Sequence, residues 1–388
     1  MKLFTLFFSI ILILGCNQEA SKKELSSQST VKENWAFPHF EKVDSINPIL
    51  TPSSTLQFMD PITKDTIKWE ERNVLNPTAL VRDGKVYMLY RAQDLKGTSR
   101  IGMAVSDDGL HFEKMSAPIF YPDMDSMKIY EWNYKKELAE ETNSEDCISC
   151  YFDGVEDPRI VESEEGDYIM TYTSYDGKTA RLSIASSKDL KSWVKHGLVM
   201  KEEKYKDNWS KAGAIVSELQ GNKIVAKRIN GKYWMYFGDT NIFMASSDDL
   251  IQWEVAENEE SGKMISVLNP RMGYFDSRLV EPGPYALVKD EGILFIYNSS
   301  NAANFNDPNL PKFTYAAGQA LFDKNAPFKL IDRTENFFIH PDKEYEKIGE
   351  VNEVCFVEGL VYFKEKWFLY YGTADSKIAV AIYDMPKK

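Results

Sequence analysis

The sequence predicts an all-β protein, and specifically a five-bladed β-propeller. Aromatic residues make up 13% of the 388 residues, and many of them recur in short strand-like runs. A motif in which a turn precedes an aromatic strand occurs five times, at residues 83–92, 165–174, 230–239, 290–299 and 364–373. No long 3.6-residue apolar period accompanies these strands, and only residues 130–141 and 204–211 indicate short helices.

The five copies are distributed evenly enough to be repeating units. Aligned on one aromatic position, they are separated by 82, 65, 60 and 74 residues, the aligned residues being Tyr90, Tyr172, Phe237, Tyr297 and Tyr371. A sheet of this size cannot bury both of its faces alone and must pack against its neighbours. Radial packing of four-stranded sheets achieves this and leaves only short edges. The alternative, a β-sandwich followed by a second β-domain, does not explain the even distribution.

The N-terminal residues predict secretion and lipid attachment. Residues 1–16, MKLFTLFFSIILILGC, combine a lysine, a short apolar run and small residues, as a secretory signal does. The end of this segment resembles a bacterial lipobox, which implies cleavage before Cys16 and acylation of that cysteine. An ordinary signal peptide with a chance cysteine is the alternative. Residues 17–34 are polar and predict a flexible tether, so residues 35–388 form the catalytic propeller with an N-terminal lead-in.

These features predict where the protein acts and what it contacts. We expect a cell-envelope lipoprotein, periplasmic or surface-exposed, that contacts the membrane only through the lipid on Cys16. The formal net charge of −13 argues against a nucleic-acid partner, because phosphate binding needs clustered Lys and Arg side chains. The four histidines lack metal-ligand spacing, so no metal site is predicted. The sequence does not indicate an oligomeric state.

Polar residues stand where the inner strand of each blade is expected to begin. In a propeller these positions line one central funnel, which would gather side chains from separate blades. The candidates at strand starts are Asn76, the segment GVEDPRI with Glu156, Asp157 and Arg159, then Glu281 and Glu358. The start in the third copy is expected near residues 222–223. Asp239 and Asp375 are further candidates for substrate binding.

Carboxylates gathered in one funnel suit the cleavage of an acetal. One of them can protonate the leaving oxygen while another activates the incoming nucleophile. Burial of such a pair is expected to raise one pKa and to keep an acid protonated near neutral pH. Aromatic residues around the funnel supply flat surfaces for sugar rings. An oligosaccharide is therefore the expected ligand.

Several segments resemble glycoside hydrolase family 130, the β-mannoside phosphorylases and β-mannosidases. The resemblance rests on NPTALVRDGKVYMLYRA, GVEDPRI and YYGTADSKIAVAIYD and extends over about residues 71–384. It implies that Asp157 is the general acid, which passes its proton through a sugar hydroxyl. It also implies that Asn76, Arg91 and Arg159 hold the innermost sugar. The alternative for Arg159 is an ion pair with Glu156 or Asp157 that only shapes the loop.

The third copy departs from the pattern of the phosphorylases in this family. The segment SKAGAIVSELQGNKIVAKRINGKYW carries Glu218 and no proline where those members have a proline-rich strand. A phosphorylase must hold a phosphate dianion with several cations, whereas acids have gathered here. We therefore predict an inverting hydrolase of β-linked mannosides, with Glu281 as the base and Glu218 or Glu358 as the other candidates.

Two alternatives stay open at this point. A phosphorylase would use inorganic phosphate as its co-substrate and release mannose 1-phosphate; it would need two cations at the funnel from among Lys211, Lys223, Lys227 and Arg228. A non-catalytic glycan-binding lipoprotein would keep the fold without turnover. No other cofactor is predicted.

Overall fold

The computed structural model describes residues 35–136 and 151–384. The predicted signal segment, Cys16 and the predicted tether lie outside the described residues. Within the described ranges the protein is nearly all-β, with twenty-five strands and two helices of four residues each, α1 (Lys128–Glu131) and α2 (Glu344–Lys347). No helix in this part of the chain is long and apolar enough to cross a membrane.

Most strands belong to five antiparallel groups that follow one another along the chain, and each group contains one copy of the repeated motif. Group 1 is β4 (Asn73–Arg82), β5 (Lys85–Gln93), β6 (Thr98–Ser106) and β7 (Glu113–Lys114). Group 2 is β8 (Asp153–Glu162), β9 (Tyr168–Tyr175), β10 (Ala180–Ser187) and β11 (Trp193–Leu198). Group 3 is β12 (Gly213–Gln220), β13 (Lys223–Ala226), β14 (Tyr233–Phe237), β15 (Ile242–Ser247), β16 (Trp253–Val255) and β17 (Ser266–Leu268).

The two remaining groups complete the C-terminal half. Group 4 is β18 (Leu279–Pro282), β19 (Ala286–Val288), β20 (Ile293–Ser300), β21 (Tyr315–Phe322) and β22 (Leu330–Arg333). Group 5 is β23 (Cys355–Phe363), β24 (Lys366–Thr373) and β25 (Lys377–Asp384). The N-terminal strands are β1 (Glu41–Lys42), which pairs with β25, and the hairpin of β2 (Phe58–Met59) and β3 (Thr66–Ile67).

The first strands of the groups lie beside one another. Strand β4 contacts both β8 and β23, and β12 contacts β8 and pairs in parallel with β19. Apolar clusters fill the spaces between neighbouring groups: one joins groups 1 and 2, another groups 3 and 4, and a third groups 5 and 1. Each group therefore buries its faces against its neighbours, and the beginnings of the first strands come close together.

The Asp-rich turns explain why the second motif repeats. In the second copy Ser187 Oγ accepts the backbone N–H of Leu190 at 2.9 Å, and Asp189 Oδ1 accepts the N–H of Lys191 at 2.8 Å. The first and third copies repeat this bonding from Ser106 with Asp108 and from Ser247 with Asp249. These side chains satisfy the backbone donors of the turn locally.

The N-terminal lead-in packs on groups 4 and 5. Trp35, Phe37 and Phe40 are buried, and the backbone N–H of Phe37 donates to the Gln319 side chain at 2.8 Å. Lys42 Nζ then donates to Glu346 Oε2 at 2.7 Å. The N-terminal segment thereby adds the strand β1 to group 5.

The two predicted helical segments fared differently. Helix α1 overlaps the segment predicted at 130–141, whose remainder beyond residue 136 lies outside the described residues. The prediction of a helix at 204–211 was wrong, because the chain forms turns there. The backbone N–H of Tyr205 bonds to Glu202 and that of Asn208 to Tyr205, which is a pair of turns rather than a continuing ladder.

Candidate active site

Two Asn/Asp-Pro steps form matching bulges at the beginnings of β4 and β8. The ladder between β4 and β5 shifts register between Leu75 and Pro77, and that between β8 and β9 shifts between Glu156 and Arg159. Proline cannot donate a ladder hydrogen bond, and a bulge accommodates it. Asn76 and Asp157 take positive φ angles of 48° and 50° at these bulges. Their side chains meet, since Asn76 Nδ2 donates to Asp157 Oδ1 at 2.8 Å.

The glycine of GVEDPRI is required by close packing. Gly154 pairs with Ser99 of β6, and an added Cβ would lie 2.2 Å from the Ser99 carbonyl oxygen. Its φ is also +113°. Only glycine adopts this conformation at low cost while allowing such an approach. The segment thus brings β8 directly against group 1, where Arg91 is located.

Arg91 joins the two acids of GVEDPRI. Its guanidinium donates to Glu156 Oε1 at 2.7 Å and to Asp157 Oδ1 at 3.3 Å, and its Nε donates to Ser99 Oγ at 3.0 Å. Glu156 and Asp157 are both buried. Arg91 therefore fixes the orientation of both carboxylates through charge-assisted hydrogen bonds.

Arg159 is bonded mainly to the protein itself. It donates to the backbone oxygens of Gly283 and Pro282, each at 2.7 Å, and to that of Asp157 at 3.1 Å. It also donates to Glu358 Oε1 at 2.8 Å. Four bonds from a group with five N–H donors leave one donor for a ligand. The guanidinium thereby holds β8, β18 and β23 together around the acids.

Glu281 and Glu358 are buried carboxyls with unmet hydrogen-bonding capacity. Their exposed fractions are 5% and 1%. Glu281 Oε1, Glu358 Oε2 and Asn76 Oδ1 have no hydrogen-bond partner among the described residues. Buried polar atoms in proteins are normally hydrogen-bonded. Three such oxygens converging on one group of side chains indicate a site that binds a hydroxyl-bearing ligand.

Lys211, just before β12, is a third cation of this group. Burial lowers the pKa of Lys211, but the carboxylates of Glu281, Asp157, Glu156 and Asp239 raise it by more, so the net pKa is raised. Asp375 belongs to the same group, since Arg91 and Asp157 both act on its charge. Its loss of water contacts raises the pKa of Asp375 to about 6.

The acids divide into two classes by pKa. Burial raises the pKa of Glu281 to about 8, and it also raises the pKa of Glu358 well above its usual value. Burial acts on Asp157 in the same direction, but the charges of Arg91 and Lys211 outweigh it and lower the pKa of Asp157. The expectation that one pKa of a buried pair is raised therefore agrees with the raised pKa values of the two glutamates, and Asp157 is the member whose pKa is lowered.

The structure does not bring Glu218 into this group. Glu218 lies near the end of β12, where its carboxylate is 3.0 Å from Lys227 Nζ. It pairs with Val225, which in turn bridges to Glu162, five residues beyond Asp157. At 3.3 Å per residue, the five residues between Asp157 and Glu162 correspond to about 16 Å along β8, and Glu218 lies at the level of Glu162. As a candidate base in the funnel, Glu218 is therefore not supported by its position.

Three of the four cations considered for phosphate also lie elsewhere. Lys223 Nζ donates to Glu162 Oε2 at 2.6 Å, Lys227 bonds to Glu218, and Arg228 donates to the backbone oxygens of Gly231 and Asp248. The predicted start of the inner strand near residues 222–223 was wrong. These residues belong to the hairpin after β12, and the inner strand begins at Gly213.

Sequence reasoning missed two aromatic residues that are linked to this group, Tyr175 and Trp209. The charges of Glu156, Lys211 and Arg91 act on Tyr175, which lies at the end of β9, and Tyr175 contacts the ring of Trp209. Trp209 Nε1 donates to Asp239 Oδ2. A lone tryptophan in the polar run KEEKYKDNWSKAG was the available signal. Within residues 35–136 and 151–384, no group of His, Cys, Asp or Glu side chains could hold a metal ion.

Comparisons with known proteins place the chain in a family of sugar-active enzymes. Residues 47–387 match the profile of the glycoside hydrolase 130 family, described as beta-1,4-mannooligosaccharide phosphorylase. A relative, 1,2-beta-oligomannan phosphorylase of Thermoanaerobacter sp. (strain X514), is 29% identical over 82% of this chain and 92% of its own length.

Two solved structures are similar over almost the whole chain. A glycosyl hydrolase from Bacteroides ovatus is 42% identical, covers 92% of this chain and 96% of its own, and has a TM-score of 0.83. Another, at 41% identity, a TM-score of 0.84 and coverage of 92% and 96%, is described by the words "The GH130 family of mannoside phosphorylases contains glycoside hydrolases that target beta-1,2 mannosidic linkages in Candida mannan". The chain belongs to glycoside hydrolase family 130, a family of enzymes that act on mannosides.

Proposed function

We propose that the protein is an inverting hydrolase of β-linked mannosides, in particular β-1,2-linked ones, and that its five strand groups are the blades of a β-propeller. Family membership supports the substrate class. The words that describe the relative and the solved structure support the β-1,2 linkage. The sequential antiparallel groups, each with one motif copy, support the propeller.

The balance of charges around Asp157 carries the choice of hydrolysis over phosphorolysis. Arg91, Arg159 and Lys211 are the cations in the group, and Arg91 and Arg159 are already bonded to carboxylates or carbonyls. Glu281, Glu358 and Asp375 add three more acids to Glu156 and Asp157. A phosphate dianion needs several free cations, and the ionised carboxylate of Asp157, whose pKa is lowered, would repel it. A water molecule is neutral and needs no such cations.

Asp157 and Glu281 form the proposed acid and base. The pKa of Asp157 is lowered and that of Glu281 is raised to about 8. At pH values between these two pKa values, the two carboxyls together hold one proton. In the reactive state the proton is on Asp157, which passes it through a sugar hydroxyl to the leaving oxygen. Ionised Glu281 accepts a proton from the water that attacks the anomeric carbon on the opposite face of the sugar, while the glycosidic bond breaks.

The other residues bind and position. Asn76, Arg91 and Glu156 are proposed to hold the hydroxyls of the innermost sugar, with Asp239 and Asp375 at its edge. Arg159, with one N–H donor left, contributes to binding mainly by fixing Glu358, which is the second candidate for the base. The reaction needs no cofactor. We also propose that the protein is anchored to the cell envelope through Cys16 and meets glycans there.

Product analysis tests the reaction. A chain without the predicted signal segment and Cys16, residues 17–388, is incubated with β-1,2-mannobiose with and without inorganic phosphate, and products are followed by proton NMR. We expect α-mannose to form first, at equal rates in both conditions. Phosphate-dependent mannose 1-phosphate would overturn the proposal and favour the phosphorylase, with Lys211 at the phosphate.

The Asp157→Asn variant separates an enzyme from a binding protein. Its carboxamide keeps the size of the side chain but has no transferable carboxyl proton. We expect turnover to fall at least 100-fold, in line with the loss of general acid catalysis, while calorimetry with mannobiose still detects binding. Unchanged turnover would remove Asp157 as the acid, and binding without any turnover in the wild-type protein would favour the non-catalytic alternative.

A further inference from the structure

Four of the five aligned aromatic residues are tyrosines that donate their hydroxyl to a buried carboxylate. The donor and acceptor oxygens are 2.8–3.0 Å apart, and all four carboxylates are fully buried. Each carboxylate also forms an ion pair with a lysine or an arginine. We call these sets tyrosine clusters, and they are Tyr90 with Glu70 and Lys114, Tyr172 with Glu131 and Lys195, Tyr297 with Asp276 and Arg333, and Tyr371 with Glu346 and Lys42.

The four clusters occupy equivalent positions in their groups. The tyrosine lies on the second long strand, and the acid lies in the segment that leads into the first strand. The cation lies on the outermost strand, opposite an alanine of the neighbouring strand. These pairs are Lys114 with Ala104, Lys195 with Ala185, Arg333 with Ala320, and Lys42 with Ala381. A contact that recurs four times in the same register is a property of the repeated unit.

Each of the four tyrosines also lies across the ladder from a residue of the candidate active site or from its neighbour in the sequence. The residues in this position are Pro77, after Asn76, for Tyr90; the bulge with Asp157 for Tyr172; Pro282, after Glu281, for Tyr297; and Val357, before Glu358, for Tyr371. The backbone of each tyrosine therefore adjoins the site, while its hydroxyl is fixed on a buried ion pair.

Group 3 differs in both respects. Its aligned aromatic residue, Phe237, has no hydroxyl, and Val255 lies opposite Ala245, where the other groups have a cation. Across the ladder from Phe237 is Gly213, which has no side chain to position. A cluster that only held a sheet together would be needed in group 3 as well. The clusters thus occur in the groups whose first strand begins with a site residue, which indicates a role at the site.

We propose that the tyrosine clusters position the residues of the active site, and that Tyr297, Asp276 and Arg333 are positioning residues for Glu281. This inference rests on the proposed function, in which Glu281 is the base. Tyr297 attaches residues 276–282 at both ends, since its backbone pairs with Pro282 and its hydroxyl bonds to Asp276 at 2.8 Å. A catalytic group has to be held within about 0.5 Å of its productive position. A loosened attachment should therefore slow turnover more than it weakens substrate binding.

Removal of a single hydroxyl tests this role. Tyr297→Phe keeps the ring, and Asp276 keeps its bonds to Arg271 and Arg333, so we expect the variant to fold. We expect kcat for β-1,2-mannobiose to fall at least about fivefold, because a small misplacement of a catalytic group is costly. KM should change by less than about twofold. An unchanged kcat in the folded variant would overturn the proposal.

Tyr236→Phe is the matched control. Tyr236 is also fully buried, and its hydroxyl donates to the backbone oxygen of Pro327 at 2.6 Å. It pairs with Ala214, which is not a residue of the candidate site. Both variants lose one buried hydrogen bond, and urea unfolding should show similar losses of stability. The kcat of Tyr236→Phe should stay within about twofold of the wild type. Equal losses of kcat in the two variants would overturn the proposal, because turnover would then follow stability alone.

The position of Glu281 is measured separately from turnover. In crystal structures of the wild type and both variants, we expect the Glu281 carboxyl to be displaced by about 0.5 Å or more in Tyr297→Phe only. If the wild type turns over no mannoside, the proposed function fails, yet this displacement would still support the positioning role. The same Glu281 position in all three structures would overturn it.

Discussion

Asp157, Glu281 and Glu358 differ because burial and neighbouring charge act in opposite directions on carboxyl groups. All three are buried, which disfavours the ionised form. Asp157 is bonded to Arg91 and Asn76, and Lys211 adds a second positive charge, so its pKa is lowered. Glu281 and Glu358 also interact with cations, but desolvation dominates and raises their pKa. In the free protein the ionised carboxylate of Asp157 therefore lies among glutamates that retain their protons, and one proton must move to Asp157 before the proposed reaction.

The raised pKa of Glu281 predicts a cost in stability that grows with pH. In the unfolded chain this carboxyl ionises near pH 4.5, whereas in the folded protein it retains its proton up to about pH 8. The folded state thus binds more protons between these values, and its stability falls as pH rises. Glu281→Gln removes this dependence. We expect its stability relative to the wild type to increase between pH 5 and 8 by up to about 4 kcal/mol, while hydrolysis is lost.

Urea unfolding of both proteins at several pH values measures this difference. Glu218→Gln is the matched control, because the pKa of Glu218 is lowered by its bonds to Gln220 and Lys227 in spite of partial burial. The stabilising contribution of that carboxylate is fully present above pH 4.5 and is lost only at lower pH, so its effect should be constant between pH 5 and 8. A constant effect for Glu281→Gln as well would contradict the raised pKa of Glu281.

At the scale of elements, the hydrogen bonds of Arg159 join three strands at the site. From β8 it bonds to Pro282, at the end of β18, to Gly283 directly after it, and to Glu358 on β23. Removal of a buried donor is costly because each buried acceptor that loses its partner keeps the cost of its lost contact with water. Arg159 therefore contributes to the geometry of the acids and to folding at the same time.

Replacement of Arg159 by alanine should reduce stability markedly. It removes a donor from Glu358 and from three backbone carbonyls, and we expect the free energy of unfolding to fall by about 3–5 kcal/mol, since each buried acceptor that loses its partner costs about 1–3 kcal/mol. Arg159→Lys retains one charge but cannot reproduce four bonds, so its loss should be intermediate. Denaturant unfolding monitored by circular dichroism measures both. Arg82→Ala, which removes an exposed ion pair with Asp83, should cost less than about 1 kcal/mol; an equal loss in Arg82→Ala and Arg159→Ala would count against the role of Arg159.

Sequence reasoning located those elements that depend on local signals. The five motif strands were predicted because turn residues and alternating aromatic residues are encoded within about ten residues. The segment GVEDPRI was recognised because two acids and an arginine around a proline at the start of a strand are also a local feature. Asn76, Arg91, Glu156, Asp157, Glu281, Glu358 and Asp375 were named as candidates, and the structure brings them into one group.

The errors arose where strand pairing is long-range. Strand β12 pairs with β14 over its first half and with β13 over its second half. Because of this division, residues 222–223 lie in a hairpin and Glu218 lies away from the acids. Lys211, which precedes β12, lies next to the acids. Nothing in the local pattern distinguishes these pairings. The lowered pKa of Asp157 was equally inaccessible, because it depends on Arg91 and Lys211 from other groups.

At the scale of the whole molecule, the N-terminal lead-in packs against the C-terminal strands of group 5. Strand β1 pairs with β25, and Phe37 packs against Phe40 and Trp367 with ring centroids 5.5 and 5.1 Å apart. Lys42 bonds to the buried Glu346, which also accepts the hydroxyl of Tyr371 at 2.8 Å. Group 5, which carries Glu358 and Asp375, is therefore completed by residues from the opposite end of the sequence.

Shortening the N-terminus in two steps tests whether the packing of the lead-in on group 5 stabilises the protein. Deletion of residues 17–34 should leave stability unchanged, because the predicted tether lies ahead of the described core. Further deletion through residue 43 removes Trp35, Phe37, Phe40 and strand β1. Each buried aromatic contributes roughly 2–3 kcal/mol, which together approach the total stability of about 5–15 kcal/mol for a typical protein. We expect the shorter chain to be largely unfolded or insoluble.

A point variant measures the same effect within a protein that still folds. Phe37→Ala should lower the free energy of unfolding by about 3–5 kcal/mol, because it opens a cavity between Phe40 and Trp367. The loss should also reach the site, since group 5 supplies Glu358, and hydrolysis should therefore become sensitive to heat at a lower temperature than in the wild type. If Phe37→Ala were as stable as the wild type, the lead-in would be a passive extension, and group 5 would hold the acids without β1.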